Sequence, residues 1–545
     1  MKFMDGALFK KCLKGAYEKL EAHKDEVDQL NVFPVPDGDT GTNMTLTMKS
    51  AIDQMEQNQD ESLASVGKAL GFGTLMGARG NSGVILSQLC RGMADALKGK
   101  SALGIKEAAD IFSSARQKAY KAVMKPTEGT ILSVARSLDE FAKERAASDL
   151  SLEDFMKEAV LAANVMLQRT PDMLEELKEA GVVDAGGQGL VYLLTGFTET
   201  LAGEDLSDLT QLSKAGSTTT TLITLGEEKL SAHQSYKYFM KVKMVNSNQT
   251  WLKEKAGDYG LVKSLNQAKG ADYLEIYTDE PQKLVSSFMK NGEVLELNFI
   301  QAKATKMARL AEEIEKAEPV KAKEPRKKAG FVAVCLGEGF KGIFEQLMVD
   351  QIVTGGQTMN PSTRDLYEAA SKVNAETVYI LPNNKNIIMA AEQVESLSDC
   401  KIVVIPSRSM PEGITALFNY NESASPEENE KAMTRSLSQV ITGQVTYAIR
   451  STEVGGLQIH KNERIGIING EIKMAGKNDE EMVLELLKTY VRPEDALITL
   501  YAGKEVSEDH FKKLKDRVSR EFRDKDVESE VGGQPIYSYI FSIEK

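Results

Sequence analysis

Asp37 and Asp39 stand two positions apart in Asn31 to Asn43, NVFPVPDGDTGTN, directly before an amphipathic segment. Two carboxylates projected from one short loop repel each other unless a cation or hydrogen-bond donors lie between them. A phosphate-linked Mg2+ is the natural occupant, because this ion binds one or two carboxylates, keeps waters and takes its remaining ligands from phosphates. Pro34 and Pro36 stiffen the approach, and Gly38 and Gly41 free the backbone. A calcium loop of the EF-hand type is excluded, since the glycine spacing is wrong and its twelfth position would be Met48. Taken alone, PDGD is more often a turn than a metal site.

Two further glycine clusters precede apolar helical patterns. GARGNSG, Gly77 to Gly83, leads into a helix expected from near Val84. Exposed amides at a helix start, with the Ser82 hydroxyl and the Asn81 amide, make an anion cradle that includes Gly80 and Gly83, with Arg79 placed for a γ-phosphate. The same glycines serve equally well for a tight helix crossing. VVDAGGQG, Val182 to Gly189, again sets an acid, Asp184, and glycines that include Gly186 before a helix. The P-loop signature is absent: the GKS at Gly99 to Ser101 has Ala94 where a P-loop requires its first glycine. Carboxylates, helix-start amides and a guanidinium facing a triphosphate with Mg2+ suffice for phosphoryl transfer, which depends on positioning and charge neutralisation.

The elements that must position these loops are helices. Leu8, Cys12, Leu13, Ala16, Tyr17 and Leu20 recur at helical spacing with Asp5 as an N-cap. Met44 to Met55 and Ile85 to Leu97 continue the pattern, and further segments cover about 105 to 124, 130 to 147, 152 to 168 and 187 to 202, an all-helical bundle or barrel. Core packing is the ordinary purpose of such stripes. Beyond a polar stretch ending in GSTTTT lie β-like runs, Tyr236 to Val245, Asp272 to Thr278 and Glu293 to Ile300, with helical stretches between them, and then a charged segment ending AEPVKAKEPRKK. The final part alternates FVAVCL, TVYILP and KIVVIP with helical patterns, as parallel strands with crossover helices do. Its strand-end loops LGEGF, GGQTMNPST, LPNNKN and PSRSMPEG lie where open α/β sheets place ligands. The expected fold is therefore multidomain: an all-α nucleotide domain, a small α/β middle domain and a C-terminal α/β domain with a mainly parallel sheet.

Composition bounds the partners. The chain has 545 residues, several domains at roughly 150 residues each. Net charge of −13 repels polyanions, so nucleic acid is a poor partner. Cys12, Cys90, Cys335 and Cys400 and the four histidines are scattered without a CxxC pair, which argues against a disulfide framework and against zinc, and for a hard ion held by oxygen. No apolar run reaches the length of a membrane span, and MKFMDGALFKKCLKG lacks a secretory core, so a cytoplasmic protein without an integral membrane segment is expected.

NVFPVPDGDTGTNM, ARGNSGVILSQ, KPTEGTIL and VVDAGGQGL together closely resemble the nucleotide-binding domain of the dihydroxyacetone kinase family, in the form found in the ATP-binding subunit of bacterial fatty acid kinase. The resemblance continues through GEGFKGIFEQLMVDQIVTGGQTMNPST, VYILPNNKNIIMAAEQ and VVIPSRSMPEGITALFNY to YAIRSTEVGGLQI, and so spans essentially the whole chain. It implies an eight-helix barrel over 1–205 holding ATP and two Mg2+ ions. It also implies linkers over 206–222 and 306–328, a middle domain over 223–305 used for homodimerisation, and a region 329–545 that docks a separate fatty-acid-binding carrier. The implied product is an acyl phosphate for phospholipid synthesis. Residue by residue, Asp37 and Asp39 match the family's metal-binding acids, and Asn31 occupies roughly the place of a third. Thr40 and Asn43 match phosphate-contacting positions, Asn81, Ser82 and Gly83 the phosphate loop, and Thr130 and Asp184 fall in motifs near the nucleotide. Asp37, Asp39, Thr40 and Arg79 form the expected catalytic set. Many relatives carry a cysteine and an HxH pair in two middle-domain strands, proposed to hold a metal; this chain has Phe239, Glu275 and Tyr277 there.

Acceptor chemistry favours a fatty acid. A carboxylate with a solution pKa of about 4.3 is already ionised at neutral pH and attacks phosphorus without a general base. A hydroxyl acceptor needs a base, and the only histidine of the helical region, His23, lies in a charged stretch. A dihydroxyacetone-type kinase with another small acceptor and a nucleotide-binding scaffold without turnover are the alternatives.

Overall fold

The computed structural model describes residues 1–32, 38–123, 125–203, 238–245, 261–268, 271–278, 293–301, 326–356, 359–448, 452–454 and 457–545. The chain forms two compact units, one made of Met1–Lys214 together with Arg326–Lys545, the other of Ala215–Pro325.

In the first unit, the described residues up to 203 carry α1 (Gly6–Ala22), α2 (Lys24–Leu30), α3 (Thr40–Glu56), α4 (Leu63–Gly77), α5 (Gly80–Ala96), α6 (Ile105–Ala122), α7 (Ile131–Arg145), α8 (Leu152–Gln168), α9 (Glu175–Ala180) and α10 (Ala185–Ala202). Their apolar stripes meet in one core that includes Phe9, Leu20, Met44, Met55 and Phe155. Asp5 caps α1 by accepting the Leu8 N–H at 2.9 Å, as its position before the first stripe predicts. Helix α5 starts at Gly80 and not near Val84: Arg79 is extended, and Gly80 takes a left-handed φ of 58°, so the glycine turn itself opens the helix.

Close packing of α3 against α4 and α5 brings the candidate loops together. A methyl group at Gly73 of α4 would lie 2.5 Å from the Ala51 Cα of α3, and one at Gly83 of α5 would run into the Thr47 hydroxyl. Glycine at these positions lets α4 and α5 lie directly on α3, which sets the start of α5 beside the start of α3. The crossing and the cradle are thus served by the same cluster.

The rest of this unit begins with β5 (Lys327–Cys335), α11 (Glu338–Gln346), β6 (Gln351–Thr354), α12 (Thr363–Ser371), β7 (Ala375–Leu381), α13 (Lys385–Glu395) and β8 (Lys401–Val404). The four strands, ordered β6-β5-β7-β8, pair in parallel, as their continuous apolar runs predict. Lys327 and Lys328, the end of the charged run, already belong to β5, where Lys327 pairs with Asp350 at 2.6 Å.

After α14 (Met410–Phe418) and α15 (Pro426–Ser436) the architecture changes. β9 (Val440–Tyr447), β12 (Arg464–Ile468), β13 (Glu471–Gly476), β14 (Leu497–Ala502), β15 (Asp526–Val531) and β16 (Tyr539–Glu544) form a second sheet in the order β13-β12-β9-β16-β14-β15. Between β9 and β12, the short strands β10 (Thr452–Val454) and β11 (Leu457–Ile459) pair only with each other. All pairings of the second sheet are antiparallel except β14 with β15. The expectation of a mainly parallel C-terminal sheet therefore describes the region up to β8 and fails beyond it. An edge strand such as β13, EIKMAG, with exposed and half-buried positions alternating at its start, suits an antiparallel sheet rather than a doubly covered parallel one.

The second unit contains the described strands β1 (Tyr238–Val245), β2 (Leu261–Ala268), β3 (Ala271–Thr278) and β4 (Glu293–Gln301), an antiparallel sheet ordered β2-β3-β1-β4 with β4 at its edge. Among its described residues, Val242, Leu274 and Ile276 are buried. Phe239 is in register with Tyr277, and Lys241 with Glu275. The helical stretches expected between these strands lie outside the described residues.

Replacing Gly73 with Val drives a branched side chain into the α3 backbone. It is expected to cost about 3 kcal/mol, the upper part of the overpacking range, read as a lower denaturant midpoint at unchanged slope.

Candidate active site

Four helix starts are gathered at one end of the helical part. Gly80, at the start of α5, lies so close to α3 that a methyl group there would strike the Asn43 side-chain amide. At the start of α10, a methyl at Gly189 would lie 2.7 Å from the Met44 Sδ of α3. Asp184 caps α10 by accepting the Gly187 N–H at 2.7 Å, and its carboxylate also takes the N–H of Ile131, the first residue of α7. Thr130 caps α7 and donates its hydroxyl to the Thr127 carbonyl at 2.8 Å, while Gly186 packs on Ile131. The positive dipole ends of α3, α5, α7 and α10 therefore share one neighbourhood; Thr130 and Asp184 cap α7 and α10, whereas α3 and α5 have no side-chain cap, so their starts favour an anion.

Asp39 sits at the N-cap position of α3 but makes no cap bond with its side chain. It is 7% exposed, and its Oδ2 accepts a 2.6 Å hydrogen bond from the Asn360 Nδ2. The Asp39 N–H donates to the Oδ1 of buried Asn31 at 3.2 Å. Thr40 and Asn43 follow in the first turn of α3, both buried. Asp37, the other acid of the pair, lies outside the described residues.

The phosphate-loop candidates face the C-terminal sheet region as well as α3. Arg79 donates through Nη1 to the Asn360 carbonyl at 2.9 Å, and its Nη2 is 3.5 Å from Asp365. The Thr363 N–H donates to the Ala78 carbonyl at 3.1 Å. Asn81 donates to the Asn386 Oδ1 at 3.3 Å, and Gln88 to Gln393 at 2.8 Å, so α5 lies along α13. Ala78 and Val84 are fully buried among Leu366, Ile387 and Ala390. Ser82 is half-buried in the first turn of α5. Asn31, Asp39, Asn43, Arg79 and Gly80 thus form one cluster, and Thr130, Asp184 and Gly186 a second at the same end.

Comparison with known proteins decides the family. The profile of the FakA-like C-terminal domain of fatty acid kinase matches residues 330–544, and that of the DAK2 domain matches residues 34–199. The protein YloV of Bacillus subtilis is 35% identical over 551 residues, 99% of either chain. The chain belongs to the FakA-like fatty acid kinase family. Among solved structures, a DegV family protein, Cg2579 of Corynebacterium glutamicum, gives a TM-score of 0.32 at 13% identity over 40% of this chain and 98% of its own. The dihydroxyacetone kinase from C. freundii in complex with AMP-PNP and Mg2+ gives 0.29 at 16% identity over 36% of this chain and 34% of its own. These two scores are too low to carry an argument.

Within this member of the family, the donors gathered at Asp39 are oxygens and amides, a set that fits a hard cation beside phosphates and not a thiolate-loving one. Among the described residues no three His, Cys, Asp or Glu side chains gather into a metal cluster. Asn360 and Asp365 reach this cluster from beyond 329. The strand-end loop GGQTMNPST contains Asn360 and LPNNKN contains Asn386, but parallel-sheet logic gives neither loop an address on another domain. Strand-end loops line a cavity of about 1350 Å3, with Asn383, Arg408, Ser409 and Thr442 among its walls and Val32 and Lys125 contributed by the helical part.

Burial pushes the Asp184 carboxyl up to about 6, opposed by its bonds from Gly187 and Ile131. An acid raised above its unfolded value binds more protons folded than unfolded, so its contribution is fully present below about pH 4 and lost as pH rises through 6. Asp184→Asn removes this titration while keeping an acceptor oxygen. The melting temperature of the variant relative to wild type should rise between pH 4 and 7, by up to about 3 kcal/mol in stability. A difference flat in pH would refute the assignment.

Proposed function

We propose that this protein transfers the γ-phosphoryl group of ATP to the carboxylate of a fatty acid presented by a separate fatty-acid-binding carrier, giving an acyl phosphate for phospholipid synthesis. One observation carries the reading: in a chain of the FakA-like fatty acid kinase family, four helix starts converge beside the buried Asp39 carboxylate and Asn43. Convergent positive helix ends hold a polyphosphate, and a carboxylate among them that does not cap its own helix is suited to a cation.

In this reading Asp37 and Asp39 hold Mg2+, two ions in all, with Asn31 orienting Asp39 through its backbone. When bound, Mg2+ neutralises charge on the phosphates. Thr40, Asn43 and the amides of Gly80, Asn81, Ser82 and Gly83 orient the triphosphate. Thr130, Asp184 and Gly186 fix the starts of α7 and α10 around it, and Arg79 supports the transferred group. The acyl carboxylate, already ionised, supplies the electron pair for the new O–P bond, and ADP leaves. No proton has to be removed, which agrees with the placement of His23, whose ring stacks on Tyr192 and bonds the Lys19 carbonyl.

The finer architecture belongs to the same reading. An apolar cavity of about 110 Å3 inside the helical core, between Phe9, Met48, Leu86 and Phe197, supports an eight-helix barrel over 1–205. Among the described strands β4 stands at the edge of its sheet, which supports self-association through 223–305, between linkers 206–222 and 306–326, the latter ending where β5 begins. The region 329–545 is assigned the docking of the carrier, and the cytoplasm is the assigned compartment.

The test supplies ATP, Mg2+ and a carrier loaded with oleate, and follows acyl phosphate by mass. Asp39→Ala should lower turnover at least 1000-fold, in line with loss of a metal-holding charge in phosphoryl transfer. Wild-type turnover by that variant, or turnover with dihydroxyacetone and no carrier, would defeat the proposal.

A further inference from the structure

We propose that Asn360, from the loop between β6 and α12, completes the nucleotide and metal site, so that the kinase centre is built by both ends of the chain. The inference rests on reading that site as one for Mg2+ and ATP, and goes beyond it by adding a residue from outside the DAK2 match.

Three observations support it. First, Asn360 reaches the site directly: its Nδ2 donates to the Asp39 Oδ2 at 2.6 Å, its carbonyl accepts from Arg79 at 2.9 Å, and its side-chain nitrogen lies 3.4 Å from where a methyl on Gly80 would stand. One residue thus touches a proposed metal-holding acid, the proposed phosphate-loop arginine and the start of α5.

Second, its other polar end has nothing to bind. Asn360 is 4% exposed, and its Oδ1 is buried without a hydrogen-bond partner. The orientation of the amide follows from chemistry: an ionised carboxylate only accepts, so the nitrogen must face Asp39 and the oxygen must point away. A buried acceptor left unpaired costs on the order of 1–3 kcal/mol, so a native structure keeps one where a ligand supplies the missing donor. Hydrated Mg2+ retains waters, each a donor to such an oxygen.

Third, backbone and capping bonds brace the chain on either side of this residue. Gly356 and Met359 exchange two backbone hydrogen bonds of 3.2 Å before it. Pro361 follows it, and Ser362 and Asp365 form a capping box that opens α12. The Thr363 N–H on the Ala78 carbonyl ties that helix start to the residue before Arg79. A side chain so braced is placed for a contact and not merely packed.

The structure therefore assigns Asn360 two roles: its nitrogen orients Asp39, and its oxygen accepts from a water of the bound cation. The experiment uses the full chain and measures binding of AMP-PNP with and without Mg2+ by calorimetry, and melting temperature with and without Mg2+. Asn360→Ala should bind Mg2+ with AMP-PNP at least tenfold more weakly than wild type, with a smaller ratio between affinities in the presence and absence of Mg2+. Asn360→Asp sets a second carboxylate against Asp39 and should melt lower without metal, yet gain more from Mg2+ than wild type does. Gln393→Ala, which breaks the Gln88 contact on the same interface away from the site, should bind as wild type. Wild-type nucleotide affinity in Asn360→Ala, an unchanged Mg2+ response in Asn360→Asp, or equal weakening in Gln393→Ala would each overturn the assignment while leaving the functional reading standing. Absence of Mg2+-dependent AMP-PNP binding by the wild-type chain would overturn both.

Discussion

Burial of the Asp39 carboxylate at the mouth of α3 is the constraint on which the rest turns. A charged acid removed from water is tolerated only where donors or a cation compensate it. Asp39 does not cap its own helix; its oxygen is met by an amide that arrives from 321 positions further along the chain. The fold carries the β6 to α12 loop to this group. Arg79, Ala78 and Thr363 fasten the same junction, so the acid, the start of α5 and the C-terminal loop are held as one assembly.

Glycine spacing makes that assembly sterically feasible. Gly73, Gly80, Gly83 and Gly189 each stand where a side chain would collide with α3. Removing these side chains lowers the separation between helices and brings their starts within reach of one ligand. Gly80 adds a left-handed turn that no β-branched residue tolerates, which places the first amides of α5 beside Asn43. Close crossing and anion binding are then two consequences of one arrangement, not rival explanations.

Much of this was legible in the residues. The stripes from Leu8 to Leu20 and from Met44 to Met55 became α1 and α3, and FVAVCL, TVYILP and KIVVIP became parallel strands, because periodicity and continuous apolar runs are local signals. The start of α5 was misplaced toward Val84 because a positive-φ glycine inside a helix start looks like loop sequence. The antiparallel sheet from β9 to β16 was not legible: its order joins strands far apart in the chain, and short alternating strands give weak periodic signals. Asn360 was hidden for a related reason. Nothing in NPST distinguishes an asparagine that serves its own turn from one that reaches across to another carboxylate.

The two compact units also change what a linear division of this chain means. Residues before Lys214 and after Arg326 belong together, so Ala215–Pro325 enters the sequence as an insertion within one unit. An insertion of this kind is tolerated where chain ends leave and return at the surface of a completed core. Ala78 and Val84 show why the halves it interrupts are not independent modules: both are fully buried against Leu366, Ile387 and Ala390, next to the loop that carries the phosphate-binding candidates. Apolar burial of this sort contributes about 25 cal/mol per Å2 and is lost on separation, whereas surface polar contacts alone would let the halves part at little cost. A candidate phosphate loop whose own flanking residues lie in a core shared with the C-terminal sheet takes its geometry from both, so the helical site and the α/β region that follows it form a single structural problem.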